Sequence, residues 1–282
     1  MFKKILIYTG YFLLTAVLGA YFYFSGSIAT KESKDKMCKT IQITVLDSTT
    51  NRFVSKAEIR DLLRTEGINI GESKIKHINQ YELEEVINNR TAVKISQVSV
   101  TGQGVVTVTI LQRRPIIRIE TINGGFYMDE TAYIFPLIKT FTSYVPVVSG
   151  DIPINIPPGY RGLAESNNKW ATQIYELGLY LEQHSFWNSM IEQIYIDGKG
   201  IMYMTARIGS TEIFFGNSEN IDYKFRKLHA FYTKVIPAMG WDTYNIVDLS
   251  FSSQLVCKKR VITAEGTKEI AQTTEIAQTT EI

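Results

Sequence analysis

The chain has 282 residues, of which 45% are hydrophobic and 21% charged, and its formal net charge is +2 at pH 7. This balance is typical of a globular protein that buries a core, and the charge is too small to indicate a nucleic-acid partner. The two cysteines, Cys38 and Cys257, are too few to form a disulfide framework for one or two domains.

Residues 5–24 carry no charge and follow a short basic start, residues 1–4. A helix of that length rises roughly 30 Å, the thickness of the hydrocarbon core of a bilayer, so we predict a transmembrane helix over residues 5–24. Lysines flank both ends, so the positive-inside rule does not decide the orientation. The short basic start favours a signal-anchor with its N-terminus inside. A signal peptide cleaved at residues 27–29 is the alternative.

The segment after the apolar stretch predicts a linker, a strand and a helix. Residues 25–39 are polar and charged, and residues 40–46 alternate apolar with polar side chains, as in a half-buried strand. Ser55 and Glu58 have the spacing of a capping box, which predicts the start of a helix. Gly67 is expected to end that helix.

A second helix and two strands are predicted before residue 114. Asn79 and Glu82 repeat the capping pattern, and residues 95–101 and 105–111 alternate in polarity on either side of a glycine-rich turn. The order is strand, helix, helix, strand, strand. The pattern by itself predicts a small α+β domain over residues 40–114.

Residues 115–262 predict a second α+β domain in which a sheet dominates. One helix is expected to begin at Asn167 or Asn168, and another to cover residues 222–235 and end at Pro237 and Gly240. The predicted strands are residues 116–119, short strands within 125–136, 191–196, 201–207, 212–215 and one long last strand over 244–259.

The C-terminal tail, residues 263–282, repeats the sequence Glu-Ile-Ala-Gln-Thr-Thr twice. It contains no aromatic residue and little apolar surface for a core. Such a segment cannot offset the entropy lost on folding, so we predict that it is disordered.

No set of residues with catalytic or metal-binding spacing is visible. The three histidines, His77, His184 and His229, stand in no metal-ligand motif, and the adjacent carboxylates Asp129 and Glu130 fall in a predicted turn. We therefore expect no cofactor and no enzymatic activity. For a domain held at a membrane, the remaining function is binding, which tethering favours through high local concentration.

Four short segments carry a family resemblance. Residues 112–115, Gln-Arg-Arg-Pro, look like the E-R-x-P element that closes a POTRA domain, with Gln in place of the family's Glu. Residues 127–136 are similar to the hairpin after it, with Ala132 near the place of a family glycine. Residues 212–216 resemble a strand that ends in glycine. Residues 246–251 resemble the closing strand, with Ser250 in place of arginine.

In this order behind a single apolar segment, these elements resemble the bacterial cell-division family FtsQ/DivIB, especially its Bacteroidetes-type members. The resemblance implies a POTRA-like domain over residues 40–114, the family's β domain over residues 115–262, and no enzymatic activity. It implies a divisome scaffold in the inner membrane at the septum, with its main domain in the periplasm. It also implies binding to FtsB/DivIC-like and FtsL-like coiled-coil proteins by strand addition to the β-domain edge, which helps recruit septal cell-wall synthesis.

Position by position, the resemblance assigns partner binding to the end of the β domain. The implied residues are Phe251, Ser253, Leu255, Lys258 and Lys259. Phe251 has the parity of Leu249 in the predicted last strand, so a place in the core is the open alternative. The neighbouring lysines either meet acidic partner residues or are solvated surface charges.

Two other classes of protein compete with the division scaffold. A POTRA-bearing adaptor in outer-membrane assembly or secretion would carry repeated POTRA blocks or a series of barrel strands, and the sequence has neither pattern. A membrane-anchored cell-wall enzyme would carry a catalytic nucleophile or a set of metal ligands, and the sequence shows no residues with that spacing.

Overall fold

The structure is a computed structural model that describes residues 10, 12–24, 36–165, 168–252 and 254–260, together with the backbone of residues 274–277. The chain divides into two compact units, Met1–Gln112 and Arg113–Ile282. Helices and strands occur in both units, which confirms the predicted α+β class.

The predicted membrane-spanning segment is described only in part. Residue 10 and residues 12–24 are helical, whereas residues 1–9, 11 and 25–35 lie outside the described part of the chain. Among the described residues, no helix combines the length and the apolar character needed to cross a bilayer.

From residue 36 onward, the first unit has the predicted order of elements. They are β1 (Thr40–Val45), α1 (Lys56–Thr65), a 3-10 turn (Ile75–His77), α2 (Gln80–Asn88), β2 (Val93–Val100) and β3 (Val105–Gln112). β3 is the central strand of the sheet, parallel to β1 and antiparallel to β2. Each predicted cap forms: Ser55 Oγ accepts from the Glu58 amide at 3.0 Å, and Asn79 Oδ1 from the Glu82 amide at 3.4 Å.

The side chain of Gln112, at the end of β3, ties together the loop between β1 and α1. Its Oε1 accepts from the Val54 amide at 2.8 Å, while its Nε2 donates to the carbonyl of Asn51 at 2.8 Å and to Asp47 Oδ1 at 3.2 Å. The residue is buried. An amide donates and accepts at once, whereas an ionised glutamate only accepts. The loop therefore explains why glutamine fits where the family motif has glutamate.

The second unit is built on one large sheet. Its strands are β4 (Pro115–Thr121), β5 (Gly124–Asp129), β6 (Tyr133–Pro136), β7 (Val147–Gly150), β8 (Gly162–Leu163), β9 (Ile191–Ile196), β10 (Met202–Ala206), β11 (Glu212–Gly216), β12 (Tyr244–Asp248), β13 (Leu255–Lys259) and β14 (Thr274–Ala277). Its helices are α3 (Lys169–Gln183), α4 (Ser185–Met190), α5 (Ile221–Ala230) and α6 (Ile236–Met239). Within the described residues, the sheet has eleven strands in the order β14-β13-β12-β11-β10-β9-β7-β4-β5-β6-β8.

The core of this unit lies between one face of the sheet and the helices. Strand side chains of one parity pack against apolar side chains of α3 and α5, as the alternating pattern of the sequence requires. Among the buried members of this cluster are Ile117, Ile194, Met204, Ile213, Val247, Ile174, Leu177, Leu181, Phe225 and Leu228.

The last helical region departs from the prediction of one helix over residues 222–235. α5 is followed by a π-helical turn, Phe231–Val235, and then by α6, which contains Pro237 and is followed by Gly240. Proline lacks an amide hydrogen, and its ring collides with the carbonyl four residues earlier in a regular helix. The wider π turn allows the helix to continue to Pro237 instead of stopping before it.

The prediction of one long last strand over residues 244–259 is wrong. β12 and β13 are separate and antiparallel, joined by a turn after Asp248. Asp248 Oδ1 accepts hydrogen bonds from the Ser250 amide at 2.8 Å and from its hydroxyl at 2.6 Å. A local aspartate turn of this kind competes with the strand conformation and reverses the chain.

The prediction of disorder is wrong for four residues of the tail. Thr274–Ala277 form β14, which pairs antiparallel with β13. The remaining tail residues lie outside the described part of the chain. A sheet edge offers a row of backbone donors and acceptors, so a segment that cannot build its own core still gains partners there.

The turn between β5 and β6 is organised by Asp129, which is buried. Its carboxylate accepts from Arg113 Nη1 at 2.8 Å, the Thr131 amide at 2.8 Å and the Tyr133 amide at 3.0 Å. Ala132 closes the turn with a φ of 59°, in the left-handed region. An L side chain is crowded there, which explains the glycine that the family carries near this position.

Replacing Ala132 with glycine is expected to raise the free energy of unfolding of the second unit by about 1 kcal/mol, because glycine adopts positive φ without strain. The three tryptophans all belong to this unit, so urea denaturation followed by tryptophan fluorescence reports on it. Ala230→Gly in α5 is the control, and it should lower stability by about 1 kcal/mol. A loss of stability in both variants would contradict the strain at Ala132.

Replacing Gln112 with glutamate is expected to destabilise the first unit by about 1–3 kcal/mol, because the new carboxylate faces the Asn51 carbonyl and the Asp47 carboxylate without a proton to donate. Amide hydrogen exchange of β3 measures the change. Gln97→Glu, on an exposed position of β2, is the matched control and should leave exchange unaltered. Equal exchange in the two variants would show that the amide group of Gln112 is not required.

Candidate functional site

The hairpin of β12 and β13 carries the residues that the resemblance assigns to partner binding. Val247 stands opposite Cys257, and Asp248 opposite Val256. Leu255 and Cys257 belong to the core cluster, whereas Lys258 and Lys259 are exposed. The inward side chains hold β13 in one register, because a slip by one residue would turn them to the other face.

Phe251 lies on the surface, in the turn between β12 and β13, with 44% of its side chain exposed. Leu249, two residues earlier, is buried. The parity shared by these two residues in the sequence is lost because the strand ends at Asp248 and the chain then turns. The structure therefore favours the surface over the core for Phe251.

The other implied residues are distributed unevenly. Leu255 packs its side chain in the core, so that side chain supports the strand, and a role of this residue in partner binding stays a prediction. Ser253 lies outside the described residues. Phe251, Lys258 and Lys259 remain as surface residues of the hairpin.

Lys227 of α5 holds the turn that carries Phe251. Its Nζ donates to the carbonyl of Leu249 at 2.8 Å and to that of Phe251 at 2.5 Å. Burial lowers the pKa of Lys227, and the carboxylate of Asp248 acts in the opposite direction. The sequence analysis missed this residue. The sequence did contain an indication of this role: Lys227 lies one helical turn from Lys224, on the helix face that carries the apolar Leu228.

Lys224 makes a similar attachment one turn earlier in α5. It is buried, and its Nζ donates to the Asn217 carbonyl at 2.8 Å and to Asn217 Oδ1 at 3.1 Å, beyond the end of β11. Burial lowers its pKa, and the nearby charge of Lys227 acts in the same direction. Together the two lysines fasten the ends of β11 and β12 to one helix.

A row of aromatic side chains crosses the sheet face opposite the core. Tyr195, Tyr203 and Phe214 stand on neighbouring strands, and their ring centroids are 6.5 and 5.2 Å apart. In the register of the sheet, Phe214 is followed by Asp248 and then by Val256 on β13. Sequence analysis missed this row, although its parity is opposite to that of the core residues on each strand. The aromatic row ends on β11, two strands away from β13.

Asp129, Glu130 and His229, considered above as catalytic or metal-binding residues, have structural partners. Asp129 organises a turn, and Glu130 lies 4.0 Å from Arg114. His229 contacts the rings of Phe186 and Trp187. Within the described part of the chain, no group of three His, Cys, Asp or Glu side chains is placed to hold a metal ion.

Two family models match the chain. A model described as FtsQ/DivIB, C-terminal related, matches residues 114–258, just over half of the chain, and a POTRA-like domain model matches residues 36–111. The chain belongs to the FtsQ/DivIB family. Proteins of this family are components of the divisome, so the chain is a division-associated protein. Comparison with the sequences of curated proteins gives no match.

Cys257 of β13 is expected to make the second unit less stable at alkaline pH. Burial raises the pKa of its thiol from 9.0 to about 11. Folding favours the neutral thiol, so its contribution is fully present below pH 9 and is lost as the pH rises to about 11.

We expect the free energy of unfolding of the second unit to fall by on the order of 1–2 kcal/mol over that range, and Cys257→Ala to make the fall smaller. Urea denaturation followed by tryptophan fluorescence measures it. Tyr232, with its pKa raised by burial to about 12, should keep part of the fall in the variant. Cys38→Ala, in the first unit, is the control, and an unchanged pH profile in Cys257→Ala would contradict the assignment.

Proposed function

We propose that the chain is a non-enzymatic divisome scaffold that binds FtsB/DivIC-like and FtsL-like coiled-coil membrane proteins and helps recruit septal cell-wall synthesis. The partner adds a strand to the edge of β13. The observation that carries the proposal is that this edge accepts an added antiparallel strand, as its pairing with Thr274–Ala277 demonstrates. Backbone hydrogen bonds supply the affinity in such an addition, and alternate side chains supply specificity.

The surface around the edge suits a partner strand that brings apolar side chains. Phe251 is exposed in the turn before β13, and the row of Tyr195, Tyr203 and Phe214 runs along the outer face as far as β11, two strands from β13. Exposed aromatic side chains bury a large area on binding at small entropic cost. Lys258 and Lys259 add positive charge that attracts acidic partner residues, which affects association rate more than affinity.

The N-terminal helix supports the membrane anchor in this proposal. The large apolar side chains of residues 12–24 are exposed by 48–76%, which is unfavourable in water and favourable in lipid. The proposed topology is one transmembrane helix over residues 5–24, with residues 1–4 in the cytoplasm and 25–39 as a linker. The POTRA-like domain (40–114) and the β domain (115–262) then lie in the periplasm at the septum, and the tether raises their local concentration near membrane partners.

Replacing Phe251 with glutamate is expected to weaken recovery of the partner about tenfold or more, as for a buried aromatic anchor of an interface. The full chain in detergent is used to capture proteins from the organism's own membranes, and mass spectrometry identifies them. The expected partners are small single-pass coiled-coil proteins. The Tm should not change, because Phe251 is on the surface.

Phe186→Glu is the matched control, since Phe186 is 47% exposed and lies on α4 rather than on the hairpin. It should retain the partner. A fall of many degrees in the Tm of Phe251→Glu would place Phe251 in the core after all. Recovery of outer-membrane barrel proteins instead of coiled-coil proteins would support the alternative function, a POTRA-bearing adaptor in outer-membrane assembly or secretion.

A further inference from the structure

The chain's own tail occupies the edge that the proposed partner strand requires. β14 runs antiparallel to β13 over four consecutive positions. The opposed pairs are Leu255 with Ala277, Val256 with Ile276, Cys257 with Glu275 and Lys258 with Thr274. A second strand cannot use the same row of backbone donors and acceptors while β14 is in place.

The repeat in the tail explains which segment pairs with the edge. Residues 269–274 and 275–280 have the same sequence, so Lys-Glu-Ile-Ala at 268–271 is a near copy of Thr-Glu-Ile-Ala at 274–277. A shift by one repeat is an even number of residues and keeps each position on its own face. In the shifted register Lys268 would stand opposite Lys258, and like charges directly opposite destabilise a strand pair. The copy that begins with Thr274 avoids this repulsion.

We infer that the C-terminal repeat is an internal competitor that covers the β13 edge, and that the partner binds after displacing β14. The inference rests on the proposed function, because competition arises only if the partner uses β13. Since the tail belongs to the same chain, its effective concentration at the edge is high, and a short strand suffices to occupy it. The apparent affinity for the partner falls in proportion to the fraction of molecules in which the edge is open.

The composition of the tail is compatible with a strand that detaches from the β13 edge. β14 has four residues, and the repeat contains no aromatic residue, so by composition it has little apolar area to bury. Among the residues whose side chains the structure describes, the last member of the core cluster along the chain is Cys257. The domain therefore keeps its core when the edge opens.

The first test compares amide hydrogen exchange of β13 in the full chain and in a chain that ends at Arg260. Exchange should be slower in the full chain, because β14 protects the edge. Thr274→Lys places a lysine opposite Lys258 and should speed exchange towards that of the shortened chain. Thr280→Lys makes the same substitution at the equivalent position of the next repeat, outside β14, and should behave as the parent chain.

The second test adds a synthetic peptide with the sequence of residues 269–282 in trans. It should bind the shortened chain and bind the full chain at least tenfold more weakly, because the tail already occupies the edge.

The third test measures the affinity for the coiled-coil protein captured from membranes. This affinity should be about tenfold higher in the shortened chain than in the full chain. The affinity of Thr274→Lys should lie between those of the full and shortened chains, and that of Thr280→Lys should equal that of the full chain.

The outcomes separate the inference from the proposed function. Equal exchange of β13 in the full and shortened chains, or equal peptide binding, overturns the internal competitor and leaves the proposed function intact. Protection of β13 by the tail together with equal partner affinity overturns the competition and also the proposal that the partner adds to β13. Slower exchange with weaker partner binding in the full chain supports both.

Discussion

The organisation of the second unit depends on how a large sheet ends. Every edge strand exposes backbone donors and acceptors that pair with whatever strand reaches them. At one edge of this sheet the last strand is β8, which has only two residues and offers little to a passing chain. At the other edge β13 offers a longer row, and the structure shows that row paired with a segment of the same chain. The proposed partner binding and the proposed competition by the tail both involve this edge.

The remainder of the unit keeps that edge in a single geometry. Leu255 and Cys257 point into the core and set the register of β13, while Lys227 fastens the preceding turn to α5. A strand can act as a template for another strand only if its own position is well determined. Lys227 is half-buried, so its ammonium group loses part of its hydration, and its hydrogen bonds to two carbonyls compensate for that loss. Its role is to position the turn, and Phe251 is presented to solvent as a result.

The departures from the family motifs have local physical explanations. Gln112 replaces a glutamate because its neighbours include both a donor and acceptors, which an amide satisfies. Ala132 stands in a left-handed conformation near the place of a family glycine, so this turn has a backbone conformation that glycine adopts more easily than alanine.

The sequence by itself determined the α+β class, the order of elements in the first unit and the caps of its helices, because these depend on short-range periodicity and capping chemistry. It also determined the family, through motifs whose order is a property of the chain. Only the tertiary structure decided that residues 244–259 form a hairpin, that Phe251 is exposed, and that Lys227 holds its turn. It alone placed the aromatic row across β9, β10 and β11 and the tail on β13. Strand parity cannot foresee a turn made by one aspartate side chain, and composition cannot foresee an edge strand supplied from elsewhere in the fold.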